Sequence, residues 1–384
     1  MSTIRQRSST SPSQPVDVQQ LRASVREYLA TSLPEGHEPG LGMSSGHNPE
    51  FSRSLAAQGW VGMAIPTRYG GRGRGAVERF VVAEELLAAG APVNAHWIAD
   101  RQIAPSILRF GSEQQKSELL PRISNAELFF SLGMSEPESG SDLASVRTRA
   151  RQVEGGWCLN GQKIWTSGAH LNDYAVTLCR SDPGAEKHAG LSQFIVDLRA
   201  DGVTVAPITI LDGSAHFNEV TLDDVFVPDD MVLGKIGDGW HQVTSELAFE
   251  RAGPDRYLST YQLVQGFLRD DADKLSGADI RREIGRLAAR YTVIRQLGLS
   301  IAVAIDNGQV PAREAALLKD IGTTFEQQVI ETIHSLANRQ VSLTSPSAFE
   351  RLLARAILTG PSFTLRGGTT EVLRMMTGRK LING

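Results

Sequence analysis

The sequence predicts a mainly helical α+β protein, in which a β domain lies between an N-terminal helical domain and a C-terminal helical bundle. Two changes in the spacing of apolar residues carry this prediction. Helical spacing gives way to short alternating runs near residue 128, and it returns after residue 237. We therefore expect a helical domain over residues 16–127, an antiparallel, barrel-like β domain over 128–236 and a helical bundle over 237–384.

The composition of the 384-residue chain is that of an ordinary globular protein, with 41% apolar and 21% charged residues. The formal net charge is −4 and no basic stripe stands out, so no nucleic-acid partner is expected. No apolar run reaches the roughly 18–20 residues of a membrane span. Cys158 and Cys179 match neither a disulfide framework nor a metal site, and reduced thiols in a cytoplasmic protein are the expectation. Residues 1–15 predict a disordered tail.

The helical domains are predicted from long segments with apolar residues at helical spacing. In the first domain, VDVQQLRASVREYLATSL predicts a helix, and ERFVVAEELLAAGAPVNAHWI predicts one long helix over residues 78–98. After residue 239, segments such as ADIRREIGRLAARYTVIRQLGLSIAVAI and PAREAALLKDIGTTFEQQVIETIHSLANRQ are long enough to form a helical bundle.

The β domain is predicted from short β-branched or alternating runs at intervals of about ten residues. These runs are GWCLNGQKIWTS, DYAVTLCRS, LSQFIVDL, VTVAPITIL and NEVTLDDVFV, with Gly, Asn, Asp and Pro between them. Several short strands at this spacing are typical of an antiparallel sandwich or barrel. Asn160-Gly161 lies between two such runs and predicts a hairpin turn.

Two polar loops of the β domain are candidates for a binding site. GMSEPESGSD (133–142) follows an apolar run and offers backbone N–H groups and hydroxyls to an anion or a polar ring, although an exposed turn is the alternative. WTSG (165–168) sets a large aromatic beside hydroxyls. Together the loops could clamp a flat heteroaromatic cofactor, whereas Trp165 alone is more often a core residue.

Five segments, taken in order and spacing, resemble the acyl-CoA dehydrogenases: GMSEPESGSD, NGQKIWTSGA, FNEVTLDDVFVP, LAFERAG and LRGGTTEVLR. The resemblance covers the chain from about residue 16. It implies a helical domain, a β-barrel-like domain and a four-helix C-terminal bundle. It also implies FAD, oxidation of an acyl-CoA thioester to its 2,3-enoyl product, and an electron-transfer flavoprotein as electron acceptor.

The resemblance assigns roles to individual residues of both loops and of the C-terminal motif. Ser141 matches the position that faces the thioester arm of the substrate, acyl-CoA. The residues that match flavin contacts are Met134 and Ser135 in the first loop, Trp165 and Ser167 in the second, and Thr369 and Glu371 in the C-terminal turn.

The resemblance also implies the catalytic base. Many members carry a glutamate directly before the Gly-Thr of the C-terminal motif, where this chain has Gly367. A subgroup resembling the isovaleryl and long-chain enzymes carries it on a helix as Glu-Arg, which Glu250-Arg251 matches. Glu250 is therefore the expected base, Arg251 is expected to contact the CoA or hold the local geometry, and Gly367 leaves room for the substrate. A solvated helix pair is the alternative for Glu250-Arg251. Pro254 predicts a kink or helix boundary next to the base.

Two motifs that hold the ADP half of FAD in the family are not recognisable. Their places are taken by LRDDADKLSGAD (268–279) and HSLANRQVSLTSPS (334–347). The ADP half is then held differently, or by another polypeptide. The expectation stays open between a heterotetramer with a related subunit and a self-sufficient homodimer or homotetramer.

Three further alternatives stay open. Arg366 replaces an aromatic residue that walls the acyl pocket in the family, and either it meets a polar or carboxylated acyl group or, as we prefer, it points to solvent. A flavin-dependent monooxygenase and a non-catalytic partner subunit are the competing functions. Glutamate at the helix position favours a bulky acyl group.

Overall fold

The computed structural model describes residues 17–42 and 46–382, and for residues 246–250, 272 and 379–382 it describes the backbone alone. The predicted tail of residues 1–15 lies outside the described residues. Helices, an eight-stranded sheet and further helices follow one another along the chain, so the predicted fold class is confirmed. No helix of this described part combines the length and apolar character that crossing a membrane requires.

The first domain is helical, and the long helix predicted over residues 78–98 is wrong. Gly90 has φ +65°, a left-handed conformation that ends the helix, and Pro92 has no N–H to continue it. The helices are α1 (Val18–Ser32), α2 (Pro49–Ala57), α3 (Ala76–Ala88), α4 (Asn94–Ile98), α5 (Ala104–Phe110) and α6 (Glu113–Ser124). A five-residue π-helical segment, Ala99–Ile103, joins α4 to α5. Such segments inside helices occur frequently at functional sites.

The β domain is a single mixed sheet. Its strands are β1 (Phe130–Gly133), β2 (Arg149–Val153), β3 (Gly156–Ser167), β4 (Tyr174–Arg180), β5 (Leu191–Asp197), β6 (Val203–Ile208), β7 (Phe217–Pro228) and β8 (Val232–Leu233). The strand order is β6-β7-β3-β2-β4-β5-β8, and β1 pairs with β4. The pairs are antiparallel except that β4 runs parallel to β1 and, at one residue pair, to β2.

The hairpin turn predicted at Asn160-Gly161 is wrong, because β3 continues through these residues with a shift in its pairing to β7. Gly161 has φ +151°, and a Cβ there would stand 2.7 Å from the Cα of Thr148. The glycine therefore permits a close approach of two backbones within the sheet. The turn between β2 and β3 lies at residues 154–155, where Gly155 has φ +75°.

The C-terminal helices share an apolar core with the first domain. They are α7 (Gly239–Glu250), α8 (Tyr261–Asp270), α9 (Ala278–Asp306), α10 (Ala312–Ala337), α11 (Ala348–Thr359) and α12 (Thr370–Ile382), with a short 3-10 turn at Pro254–Arg256. Phe80 and Leu87 of α3 belong to the same buried cluster as Phe267 of α8 and Phe325 of α10. α7 contacts α5 and the π-helical segment of the first domain, β5 of the sheet and α10 of the bundle.

Candidate active site

The structure brings the two polar loops of the β domain side by side. The backbone N–H of Ile164, just before Trp165, donates a hydrogen bond of 2.9 Å to the carbonyl of Ser135. The ammonium of Lys163 donates to the carbonyl of Met134 at 3.2 Å. Three of the predicted cofactor residues, Met134, Ser135 and Trp165, therefore lie near one another.

A buried ion pair, which the sequence analysis missed, underlies these loops. Lys163 donates to Glu136 at 2.8 Å, and the two side chains are 1% and 8% exposed. Glu136 also accepts from the backbone N–H groups of Arg147 at 2.6 Å and Thr148 at 2.9 Å. Burial alone raises the pKa of Glu136, but the charge of Lys163 and these hydrogen bonds outweigh it and lower the pKa. The available signal was a lysine at an inward position of a strand.

Trp165 is exposed, and its backbone is strained. A register shift between β3 and β7 after Lys163 inserts one extra residue, and Trp165 takes φ +62° there. A bulky side chain rarely adopts this conformation, which costs on the order of 1–3 kcal/mol. The indole is 54% exposed and touches the ring of Phe217 edge-on at 5.9 Å between centroids. The core alternative for Trp165 is therefore wrong, and the strand offers a free aromatic face beside the first loop.

Ser167 and Ser141 belong to the second and the first polar loop, respectively. Ser167 is half-buried, and its carbonyl accepts a 2.8 Å hydrogen bond from the Ser131 hydroxyl. Ser141 is exposed. The next residue, Asp142, pairs with Lys187 at 2.7 Å, which ties the tip of the loop to the β4–β5 connection. The Ser141 hydroxyl thus stands on an anchored but open surface.

The C-terminal turn is held by two buried cations. Lys319 of α10 donates to the carbonyls of Gly368 at 2.6 Å and Thr364 at 3.2 Å. Arg251, which is 5% exposed, donates from Nε to the carbonyl of Gly367 at 2.9 Å. This hydrogen bond joins the residue that follows α7 to the C-terminal turn.

The end of α7 therefore meets the C-terminal turn. The helix ends at Glu250, as Pro254 predicts, because a proline nitrogen cannot donate to the carbonyl four residues earlier. The side chain of Glu250 lies outside the described residues. Its neighbour Arg251 nevertheless reaches the carbonyl of Gly367 through its side chain.

Thr369 precedes α12 and Glu371 lies in its first turn, and within the described chain neither hydrogen-bonds a polar loop. The Thr369 hydroxyl accepts from the backbone N–H of Val372 at 3.4 Å and caps the helix. The backbone N–H of Glu371 and the Thr369 hydroxyl lower the pKa of the exposed Glu371 carboxyl. The predicted cofactor residues thus form two groups, one on the sheet and one at a helix N-terminus.

Arg366 points inward, so the preferred expectation of a solvent-facing arginine is wrong. Its side chain is 22% exposed, donates to the Ser259 hydroxyl at 3.1 Å and lies 3.7 Å from the carboxylate of Glu326. Glu326 is fully buried on α10, and burial raises its pKa to about 7 although Arg366 opposes this shift. Arg366 therefore ties the C-terminal turn to α10 and to the segment that precedes α8.

We expect that Gly368→Ala destabilises the protein by about 1–3 kcal/mol. Gly368 has φ +94°, and a Cβ there would stand 2.9 Å from Nη2 of Arg251. Urea unfolding measures the loss. Gly378→Ala in α12 is the control, because no atom lies within 4 Å of its Cβ position and alanine favours a helix there. Equal stability of both variants would contradict the strain at Gly368.

Comparisons with known proteins agree with this arrangement. Models of the acyl-CoA dehydrogenase N-terminal, middle and C-terminal domains match residues 16–127, 131–225 and 237–382. The chain is 32% identical over 369 residues to acyl-CoA dehydrogenase FadE29 of Mycobacterium tuberculosis, covering 93% of this chain and 94% of that protein.

Solved structures are similar along nearly the whole chain. The Tcur3481-Tcur3483 steroid ACAD is 30% identical with a TM-score of 0.85, covering 97% of this chain and 98% of that chain. The ChsE4-ChsE5 complex of Mycobacterium tuberculosis is 27% identical with a TM-score of 0.83, covering 98% and 99%. The chain therefore belongs to the acyl-CoA dehydrogenase family, whose members are oxidoreductases.

Proposed function

We propose that the protein is an FAD-dependent dehydrogenase that introduces a 2,3 double bond into an acyl-CoA thioester, with Glu250 as the base. The hydrogen bond from Arg251 to Gly367 carries this proposal. It joins the helix that ends at Glu250 to the turn at which many family members hold their glutamate. A single carboxylate there is what α-proton removal requires.

The described residues fit a flat ring of the flavin type. Trp165 offers an exposed indole face, and the paired loops offer Met134, Ser135 and Ser167 around it. Thr369 and Glu371 would hold the cofactor from the start of α12. When bound, FAD supplies the acceptor for the hydride that leaves the β-carbon.

The chain itself handles the proton and the substrate. Glu250 takes the α-proton, and Ser141 faces the thioester arm from the open tip of its loop. Arg251 acts through its bond to Gly367, because it keeps the end of α7 against a residue that has no side chain to fill the acyl space.

We further propose that a related subunit holds the ADP half of FAD. The two segments that replace the family motifs close on each other here: Arg339 pairs with Asp271, and Lys274 donates to the Ala337 carbonyl at 2.7 Å. Asp271 is 4% exposed, so this contact is a buried structural ion pair and not a binding site for an anion. The two solved relatives above carry the names of two proteins each. The similarity to the steroid ACAD also favours a bulky acyl group, and an electron-transfer flavoprotein is the proposed acceptor.

The visible absorbance spectrum of the purified chain, recorded before and after adding a panel of acyl-CoAs, tests both proposals. We expect little bound flavin for the chain alone, and a flavin spectrum that bleaches with acyl-CoA once the related subunit is present. Stoichiometric FAD with full activity in the chain alone would refute the partner proposal. Bound flavin that no acyl-CoA bleaches would refute the dehydrogenase, and product formation that depends on oxygen would identify a monooxygenase instead.

A further inference from the structure

The start of β7 holds the second polar loop, WTSG (165–168), although the motif FNEVTLDDVFVP of this strand has no role in the reaction described above. The side-chain amide of Asn218 donates a 2.9 Å hydrogen bond to the carbonyl of Thr166. The carbonyl of His216 accepts one of 2.9 Å from the N–H of Gly168. Asn218 and Thr166 are both 0% exposed, so the bond between them lies in the interior of the protein. The loop is therefore tied to β7 at two places.

The orientation of the Asn218 amide follows from its two partners. A backbone carbonyl can only accept, so the end of the amide that faces Thr166 is the N–H2 group. The oxygen at the other end can only accept, and Nδ1 of His170 lies 2.7 Å from it. Nδ1 of His170 therefore carries a proton and donates it to this hydrogen bond. Through Asn218, the exposed His170 is linked to the interior of the loop.

The loop needs such support, because Trp165 keeps a backbone conformation that a bulky side chain rarely adopts. Its φ of +62° falls at the register shift between β3 and β7. A strained conformation of this kind persists only where the surrounding contacts determine it. Thr166 follows Trp165 directly and is the first residue after the shift that pairs with β7, opposite Asn218. The hydrogen bond from Asn218 therefore acts where the strain would otherwise relax.

We propose that Asn218, together with His170, is a positioning residue that keeps the second polar loop in the strained form that receives the flavin ring. This inference rests on the proposed function where it concerns FAD, whereas the geometry of the loop does not depend on that function. In the strained form the indole of Trp165 is 54% exposed and available for stacking. A loop that spends only part of its time in the competent form binds its ligand more weakly by that fraction. Asn218 therefore contributes to flavin binding through the loop.

The affinity for FAD and the exchange of amide hydrogens test the proposal in the complete enzyme, including its partner subunit if one is needed. Asn218→Leu keeps a similar volume but cannot donate to the buried carbonyl of Thr166. We expect its Kd for FAD to rise by roughly five- to a hundredfold. In the flavin-free protein, the amide hydrogens of residues 164–168 should exchange faster than in the wild type. His170→Ala should have the same two effects to a smaller extent, because Asn218 still donates to Thr166.

Gln115→Leu is the matched control. Gln115 is 3% exposed, and its side-chain amide donates to the carbonyls of Asp230 at 2.7 Å and Val232 at 2.9 Å. Like Asn218→Leu, this change removes a buried amide that donates to the backbone, but at a place that holds β8 and not the second polar loop. It should lower the stability of the protein without changing the Kd for FAD or the exchange of residues 164–168.

Each outcome decides for or against the positioning role. A wild-type Kd and wild-type exchange in Asn218→Leu would overturn it, and so would equal changes in Asn218→Leu and Gln115→Leu, which would show a general loss of stability. If Asn218→Leu does not fold, His170→Ala decides, and a wild-type exchange pattern there would count against the pair. A wild type that binds no FAD would refute the proposed function, whereas the exchange of the flavin-free loop would still test Asn218.

Discussion

Glu250→Gln should lower the rate at which acyl-CoA bleaches the flavin by a factor of about 10²–10⁴, the usual contribution of a general base. Glutamine has nearly the same size and shape as glutamate but cannot accept the α-proton. α7 ends at Glu250, and the side chain of the next residue, Arg251, donates to the carbonyl of Gly367. Because Glu250→Gln changes neither of these two partners, their hydrogen bond should stay in place. We therefore expect unchanged flavin content and nearly unchanged acyl-CoA affinity.

Stopped-flow absorbance measures the bleaching rate, and titration with a product acyl-CoA measures binding. Glu331→Gln is the matched control, since Glu331 is an exposed residue of α10 in the same bundle. A wild-type bleaching rate in Glu250→Gln would show that another residue is the base. That residue cannot be Gly367, which has no side chain. Loss of bound flavin would instead point to a structural role for Glu250.

Lys163→Met should destabilise the protein by about 3–5 kcal/mol, because it leaves the buried carboxylate of Glu136 without its counter-ion. That loss is a large share of a typical total stability of about 5–15 kcal/mol. The Met134 carbonyl loses a donor at the same time, so flavin binding should weaken as well. Urea unfolding and flavin content measure the two effects. Arg147→Met is the control: its ion pair with Glu138 joins side chains that are 81% and 76% exposed and should contribute less than about 1 kcal/mol.

The pH dependence of stability provides a second check on this pair. The pKa of Glu136 is lowered in the folded protein from an ordinary value of 4.5, so the folded state favours the ionised form. Its stabilising contribution is complete above about pH 4.5 and is lost as the pH falls through the lowered pKa. Lys163→Met should flatten this part of the acid unfolding curve. An unchanged curve in the variant would show that Lys163 does not stabilise the charge.

The sequence was sufficient for the order of domains, because apolar spacing reports directly on whether a segment buries a helix face or a strand face. It failed where one local signal had two structural meanings. Asn160-Gly161 is a good turn dipeptide, but the backbone of Thr148 requires a glycine inside a strand at this place. The helix predicted over 78–98 had the correct apolar spacing, and a left-handed Gly90 with Pro92 nearby still divides it.

The sequence predicts the motifs of the candidate site but not the exposure of their residues or the buried ion pairs and hydrogen bonds around them. Trp165 was identified from its loop, but its exposure depends on a register shift against β7 that only pairing reveals. Lys163, Lys319 and Glu326 were missed, since a charged residue in an apolar segment reads as a solvated one until its partner is known. Those partners are 27, 49 and 40 residues away in the chain, at Glu136, Gly368 and Arg366.

The hydrogen bonds that Arg251 and Lys319 donate to the C-terminal turn also determine when the site can be completed during synthesis. Arg251 and Gly367 are separated by 116 residues, so the end of α7 leaves the ribosome long before its partner. Until residue 368 has emerged, both buried cations lack the carbonyls that receive them. The nascent protein can therefore form its sheet early, but it acquires a competent reaction centre only with the last turn before α12.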